Sequence, residues 1–136
     1  ERPFETTWEH LLTAARTFDP KNKRKGIPQS LAMMDGKYVK IDGHVAFPLM
    51  VQNPKECLVM LNQWDGCCIG VPPTPYDAIE ARLRQAVTGD ARFATSGSII
   101  GKLGIKPYVV GDWLVGLYMI EDGTLDTKAF GGYGGS

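Results

Sequence analysis

The chain has 136 residues and a mass of 14.9 kDa, with 43% hydrophobic and 22% charged residues, which excludes wholesale disorder and suits one domain around one core. Fifteen basic residues offset fifteen acidic ones, for a formal net charge of zero, so the basic excess that favours nucleic acid or anionic membranes is missing. Uncharged stretches such as Ala46 to Gln52 fall far short of the ~20 apolar residues that cross a bilayer; no signal peptide is present, and a start at Glu1 rather than Met leaves room for a mature or trimmed product that has lost a signal or lipid anchor.

Arg2 to Phe18 reads as a helix. Thr6 or Thr7 can cap it, Glu9 is placed to close a capping box on Thr6, and Trp8, Leu11, Leu12 and Ala15 form one apolar stripe. Asp19-Pro20 ends it, and Lys21 to Gly26 is a short basic connector expected to be solvated. From Lys37 the period becomes two. Val39, Ile41, Gly43, Val45, Phe47 and Leu49 share one face of a long half-buried strand, with His44 on the other face and Gly43 suited to a bend. Gln52 to Lys55 turns, and Glu56 to Asn62 returns as the second strand of an antiparallel hairpin, with Cys57, Val59 and Leu61 on one face and His44 opposite about Asn62.

Trp64 to Asp77 holds three prolines and two glycines, which forbid regular structure, yet Trp64, Ile69, Val71 and Tyr76 are too apolar for a free linker. The segment reads as a loop packed onto the body. In Ala78 to Val87 the alternation of Ile79, Ala81 and Leu83 with Glu80, Arg82 and Arg84 favours a strand, although the composition leaves a helix open. Thr88 to Asp90 turns. Ser98 to Lys106 and Trp113 to Glu121 are the last strands, the second apolar enough to be a central strand buried on both faces. Phe130 to Ser136 is a Gly-rich end expected to fray.

The expected organisation is a single mainly-β or α+β domain: helix and basic loop over 1–35, β domain over 36–125, Gly-rich tail over 126–136. An N-terminal helix would cap a curled five-stranded antiparallel sheet, closed as an OB-like barrel to remove its edges.

Three cysteines, Cys57, Cys67 and Cys68, allow at most one intrachain disulfide. Cys57 and one of the adjacent pair read first as small buried hydrophobes. A bridge from Cys57 to Cys67 or Cys68, or a reactive or metal-binding thiol, are the alternatives. Zinc spacing of the C-x2-C kind is missing, but the hairpin brings His44 near the cysteine loop, so a copper or zinc site on Cys67, Cys68 and His44 is within reach. His10 reads as plain surface. The sequence has neither a G-x-S-x-G elbow nor a P-loop; a thiol triad would need a cysteine with His44 and Asp65. Trp64, Tyr76, Trp113 and Tyr118 could stack bases or sugars, though aromatics in a small barrel are more often core.

Three segments, Gly36 to Leu49, Glu56 to Met60 and Cys68 to Pro75, carry a resemblance. The first is similar to the strand "V-x-I-x-G-F-x-x-P-L", the second to "E-F-L-L-V" and the third to "C-I-H-V-P-P-P-P" of a bacterial family of domains of unknown function, number 3299. The match covers about a third of the chain, in order and at consistent spacing. Gly70 stands where family members carry His, and Cys67 where a small residue is common. The resemblance implies a barrel-like fold and a periplasmic or cell-envelope location, and brings no activity with it.

The expected function is therefore a bacterial envelope binding or interaction module, non-enzymatic and not a nucleic-acid binder. Its partner surface would be the rigid loop bearing Trp64, Asp65, Cys67, Cys68, Pro72, Pro73 and Tyr76. The alternatives are the soft-metal site on Cys67, Cys68 and His44, and a thiol-dependent enzyme using Cys68.

Overall fold

The computed structural model describes residues 2–48, 50–65 and 70–127. A two-residue strand β1 (Phe4–Glu5) opens the chain, followed by helices α1 (Trp8–Leu12) and α2 (Ala14–Thr17). The expected single helix over 2–18 is thus a strand and two short helices. Its break has a local cause: the Thr13 hydroxyl donates to the His10 carbonyl at 2.6 Å and the Thr13 amide to the same oxygen at 3.2 Å, which tightens the turn and diverts a helical acceptor. Thr7 is the cap, accepting from the His10 amide at 3.1 Å. The box on Thr6 does not form, because the Thr6 amide donates instead to the Lys40 carbonyl at 2.9 Å and its hydroxyl is buried without a partner among the described residues. The buried stripe is Trp8, Leu11, Ala14 and Phe18, with Ala15 exposed.

The basic connector folds into a small antiparallel ribbon of β2 (Phe18–Asp19) and β3 (Arg24–Lys25), and a short helix α3 (Gln29–Ala32) precedes the main sheet. That sheet comprises β4 (Tyr38–Ala46), β5 (Glu56–Met60), β6 (Ala78–Leu83), β7 (Ser96–Val110) and β8 (Trp113–Asp126), with β1 added at one side. Strand β4 divides its pairing. Tyr38 to His44 lie against Lys102 to Ser96 of β7, and His44 to Ala46 lie against Met60 to Leu58 of β5. Since β5 pairs with β6, β6 with β8 and β8 with β7, the five strands close into a ring. Gly43 sits where β4 changes partners. A Cβ there would stand 2.8 Å from the Met60 carbonyl and 3.2 Å from the Trp8 ring, so its absence lets the indole lie against the strand.

The ring corrects three expectations. The sheet is mixed: β6 runs parallel to β8, and β1 parallel to β4. The long β7 crosses over to β4 and leaves its hairpin partner β8 to close onto β6. His44 stands opposite Met60, two residues short of Asn62. Strand β8 is not buried on both faces. Its partner β6 begins only at Tyr118, so the β7–β8 hairpin outruns the ring and leaves Val110 55% and Trp113 62% exposed.

Alternate side chains fill the interior: Val39, Ile41 and Val45 from β4, Cys57 and Val59 from β5, Ile79, Ala81 and Leu83 from β6, Ile99 and Leu103 from β7, and Ile120 from β8. The N-terminal helices close over this core through three aromatic donors. The Trp8 indole donates to the Asp42 carbonyl at 2.7 Å, the Tyr118 hydroxyl to the Leu11 carbonyl at 2.6 Å and the Tyr76 hydroxyl to the Phe18 carbonyl at 2.7 Å. Each fixes a large apolar ring while satisfying a backbone acceptor. On the outside, Asp122 accepts from Tyr38 and pairs with Arg84 Nε at 2.6 Å, joining β4, β8 and the end of β6. No helix among the described residues is long and apolar enough to cross a membrane.

Candidate functional site

The pairing register sets four outward side chains in one line across the ring. Ala46 of β4 is opposite Leu58 of β5, Leu58 opposite Glu80 of β6, and Glu80 opposite Met119 of β8. Three of the four are apolar although they sit on the face turned away from the core. The chain beyond β4 adds Phe47 and Pro48, and the loop after β5 adds Trp64, enclosing a cleft of about 340 Å³ over this row. Charge enters through Glu80 in the row itself and through Glu56 and Arg82 beside it. Arg82 lies 4.0 Å from Glu56 and 3.7 Å from Glu121, so its cation is shared by two carboxylates. Glu80 is exposed and has no ion pair among the described residues.

A smaller cleft of about 200 Å³ adjoins it. Leu58 and Glu80 line both, and Pro73, Pro75 and Val115 form the far wall. The loop wall is held by its own turn: the Thr74 amide donates to Asp77 Oδ1 at 2.7 Å and the Tyr76 amide to Thr74 Oγ1 at 3.2 Å. A further cleft of about 330 Å³ on the other side of Trp64 is lined by His44, Gln63, Asp65, Arg92 and Phe93 among others. Trp64 borders this cleft and the 340 Å³ one, and its indole N–H is buried with no hydrogen-bond partner among the described residues.

The sequence-predicted residues divide accordingly. Trp64 and Asp65 line clefts, Pro73 forms a wall, and Pro72 is exposed. Tyr76 turns inward to Phe18, and burial, followed by the nearby Asp19 charge, raises its phenol above the ordinary value. His44 lines the cleft beside Asp65. Cys67 and Cys68 lie outside the described residues, as do Leu49, Ile69 and the Gly-rich end from Phe130. Among the described residues no group of three or more His, Cys, Asp or Glu side chains is placed to hold a metal. Cys57 is a free, buried thiol pushed up to about 12 by burial, so the bridge from Cys57 to the cysteine pair is not formed. The four aromatics do not make one platform: Tyr118 is in the core, Trp113 is at the projecting hairpin, and Trp64 and Tyr76 face different surroundings.

Sequence reading passed over Leu58, Glu80, Arg82 and Met119 as site residues. The legible signal was an apolar residue, Leu58 or Met119, at an outward position of an alternating strand.

Over 92% of this chain and 97% of the other, the structure matches the crystal structure of a DUF3299 family protein from Pseudomonas aeruginosa PAO1, with a TM-score of 0.58 and 17% sequence identity. The chain has the fold of a DUF3299 family protein. No family model matches the sequence, and no curated protein does. The DUF3299-type likeness reaches well beyond the three segments that carry the sequence resemblance. Gly70, where that resemblance places a His, has φ +95° and bridges to Trp64; a Cβ there would run into the Gln63 carbonyl. The backbone of this chain therefore specifies glycine at the position.

Proposed function

We infer that the chain is a binding module whose ligand seats on the outer face of β5, β6 and β8. The row Ala46, Leu58, Glu80 and Met119 under a 340 Å³ cleft carries this reading, because the apolar side chains of this row are half-buried on the outside of the ring, away from its core. Taking the ring as an OB-type barrel supports the same face, since the second and third strands of that architecture commonly carry the ligand; this is an analogy of fold. The carboxylates Glu56, Glu80 and Glu121 in and beside the cleft and the zero net charge argue against a nucleic-acid ligand. The module would work in the bacterial envelope, as the sequence resemblance implies, and fractionation of producing cells tests that location.

Leu58→Arg tests the site. Leu58 is half-buried on the outer face, so the variant is expected to keep the melting temperature within a few degrees. Binding of the neutral apolar dye Nile red, read by its fluorescence, is expected to fall by about tenfold or more. Undiminished dye binding in the folded variant would move the site elsewhere.

A soft-metal reading is supported by His44 and Asp65 lining one cleft two residues before Cys67. Elemental analysis of the reduced protein after incubation with copper or zinc, beside Cys68→Ser and His44→Ala, checks it. One metal per chain, lost in both variants, is the outcome this reading requires.

A further inference from the structure

We propose that the two adjoining clefts form one groove that takes an extended peptide segment with a basic side chain between two apolar ones, a proposal that rests on the binding reading above. The clefts share Leu58 and Glu80, which stand opposite each other, and extend from that pair in opposite directions along the strands, one toward Glu56 and Arg82 and the other toward Ala78 and Val115. Along β6, from Arg82 through Glu80 to Ala78, it covers four residue steps, about 13 Å at ~3.3 Å each. An extended chain rising ~3.4 Å per residue covers that distance in about four steps, and its alternate side chains point the same way. The first, third and fifth side chains of such a segment would enter the groove.

The groove presents three matching environments in order. At one end are Phe47 and Pro48, at the other Pro73 and Val115, all apolar. Between them stands Glu80, whose carboxylate has no ion pair among the described residues, whereas the neighbouring cation of Arg82 is already shared by Glu56 and Glu121. An unneutralised carboxylate flanked by apolar surface selects a cation carried on an apolar stem, as in Lys or Arg. The walls are set in advance by two prolines and the Asp77 turn, so little ordering opposes binding.

The test uses the full chain and fluorescein-labelled Leu-Ser-Lys-Ser-Leu, with Leu-Ser-Glu-Ser-Leu and hexylamine as comparisons, read by fluorescence anisotropy at low salt. The Lys peptide is expected to bind at least tenfold more tightly than the Glu peptide and than hexylamine. Glu80 is exposed on its strand, so its variants are expected to fold. Glu80→Gln is expected to weaken the Lys peptide about fivefold, the range of an exposed ion pair, and Glu80→Lys to reverse the preference between the two peptides. Unchanged Lys-peptide affinity in Glu80→Lys would overturn the proposal, as would hexylamine binding equally well. Loss of peptide binding while Nile red still occupies the cleft defeats the peptide ligand alone; loss of both defeats the binding module too.

Discussion

At the residue scale, Gly70 and Cys57 give the sharpest expectations. Gly70 combines a left-handed φ with a backbone contact that leaves no room for a Cβ. Gly70→Ala is therefore expected to lower the unfolding free energy by at least about 1 kcal/mol, measured by urea denaturation. A His in the same place should do so at least as strongly. Cys57 lies in the core with its thiol held neutral by burial, raised from 9.0 to about 12. Because the folded state prefers the protonated thiol, the stability it contributes is fully present below pH 9 and is lost as pH rises toward 12. Denaturation midpoints measured across that window should decline less steeply in Cys57→Ala than in the parent chain. The same burial predicts that iodoacetamide labels Cys57 only after unfolding, which peptide mapping would read.

At the element scale, the N-terminal helices and the β7–β8 hairpin depend on the ring to different degrees. Helices of five and four residues do not stand alone; these are held by aromatic donors from Trp8, Tyr76 and Tyr118. Tyr118→Phe keeps the ring and strands the Leu11 carbonyl in a buried position, so a loss of about 1–3 kcal/mol is expected by thermal or chemical denaturation. The hairpin tip is the opposite case. Trp113 is 62% exposed, and its contact with the Lys21 ammonium, 5.4 Å from the ring centroid, is a surface one. Trp113→Ser is expected to change stability by no more than about 0.5 kcal/mol in the same assay.

At the scale of the whole molecule, alternation within the chain was enough to identify strands. Val39, Ile41 and Val45, then Ile79, Ala81 and Leu83, point inward as their spacing requires, because a period of two leaves one face for the core whatever the neighbouring strand. The irregular loop was equally legible from its prolines, and the turn at Asn53 from its composition. The N-terminal stretch was legible only as helix-forming; the competition of the Thr13 hydroxyl for a carbonyl, which divides it, depends on the side-chain rotamer. Periodicity also states neither which strand lies beside which nor in what sense. The closure of β4 on β7 joins Tyr38 to Lys102, and the parallel match of Glu80 with Met119 spans a whole hairpin. The candidate site is a product of those distant pairings: Ala46, Leu58, Glu80 and Met119 are scattered in sequence and meet because hydrogen-bond register aligns them. The amino-acid sequence by itself determined the inward faces of β4 and β6 and the irregular course of the loop, since these follow from local sterics and burial. Only the tertiary structure decided the ring, its parallel pair and the groove, since strand partners are chosen by long-range hydrogen bonding and by how the whole core closes.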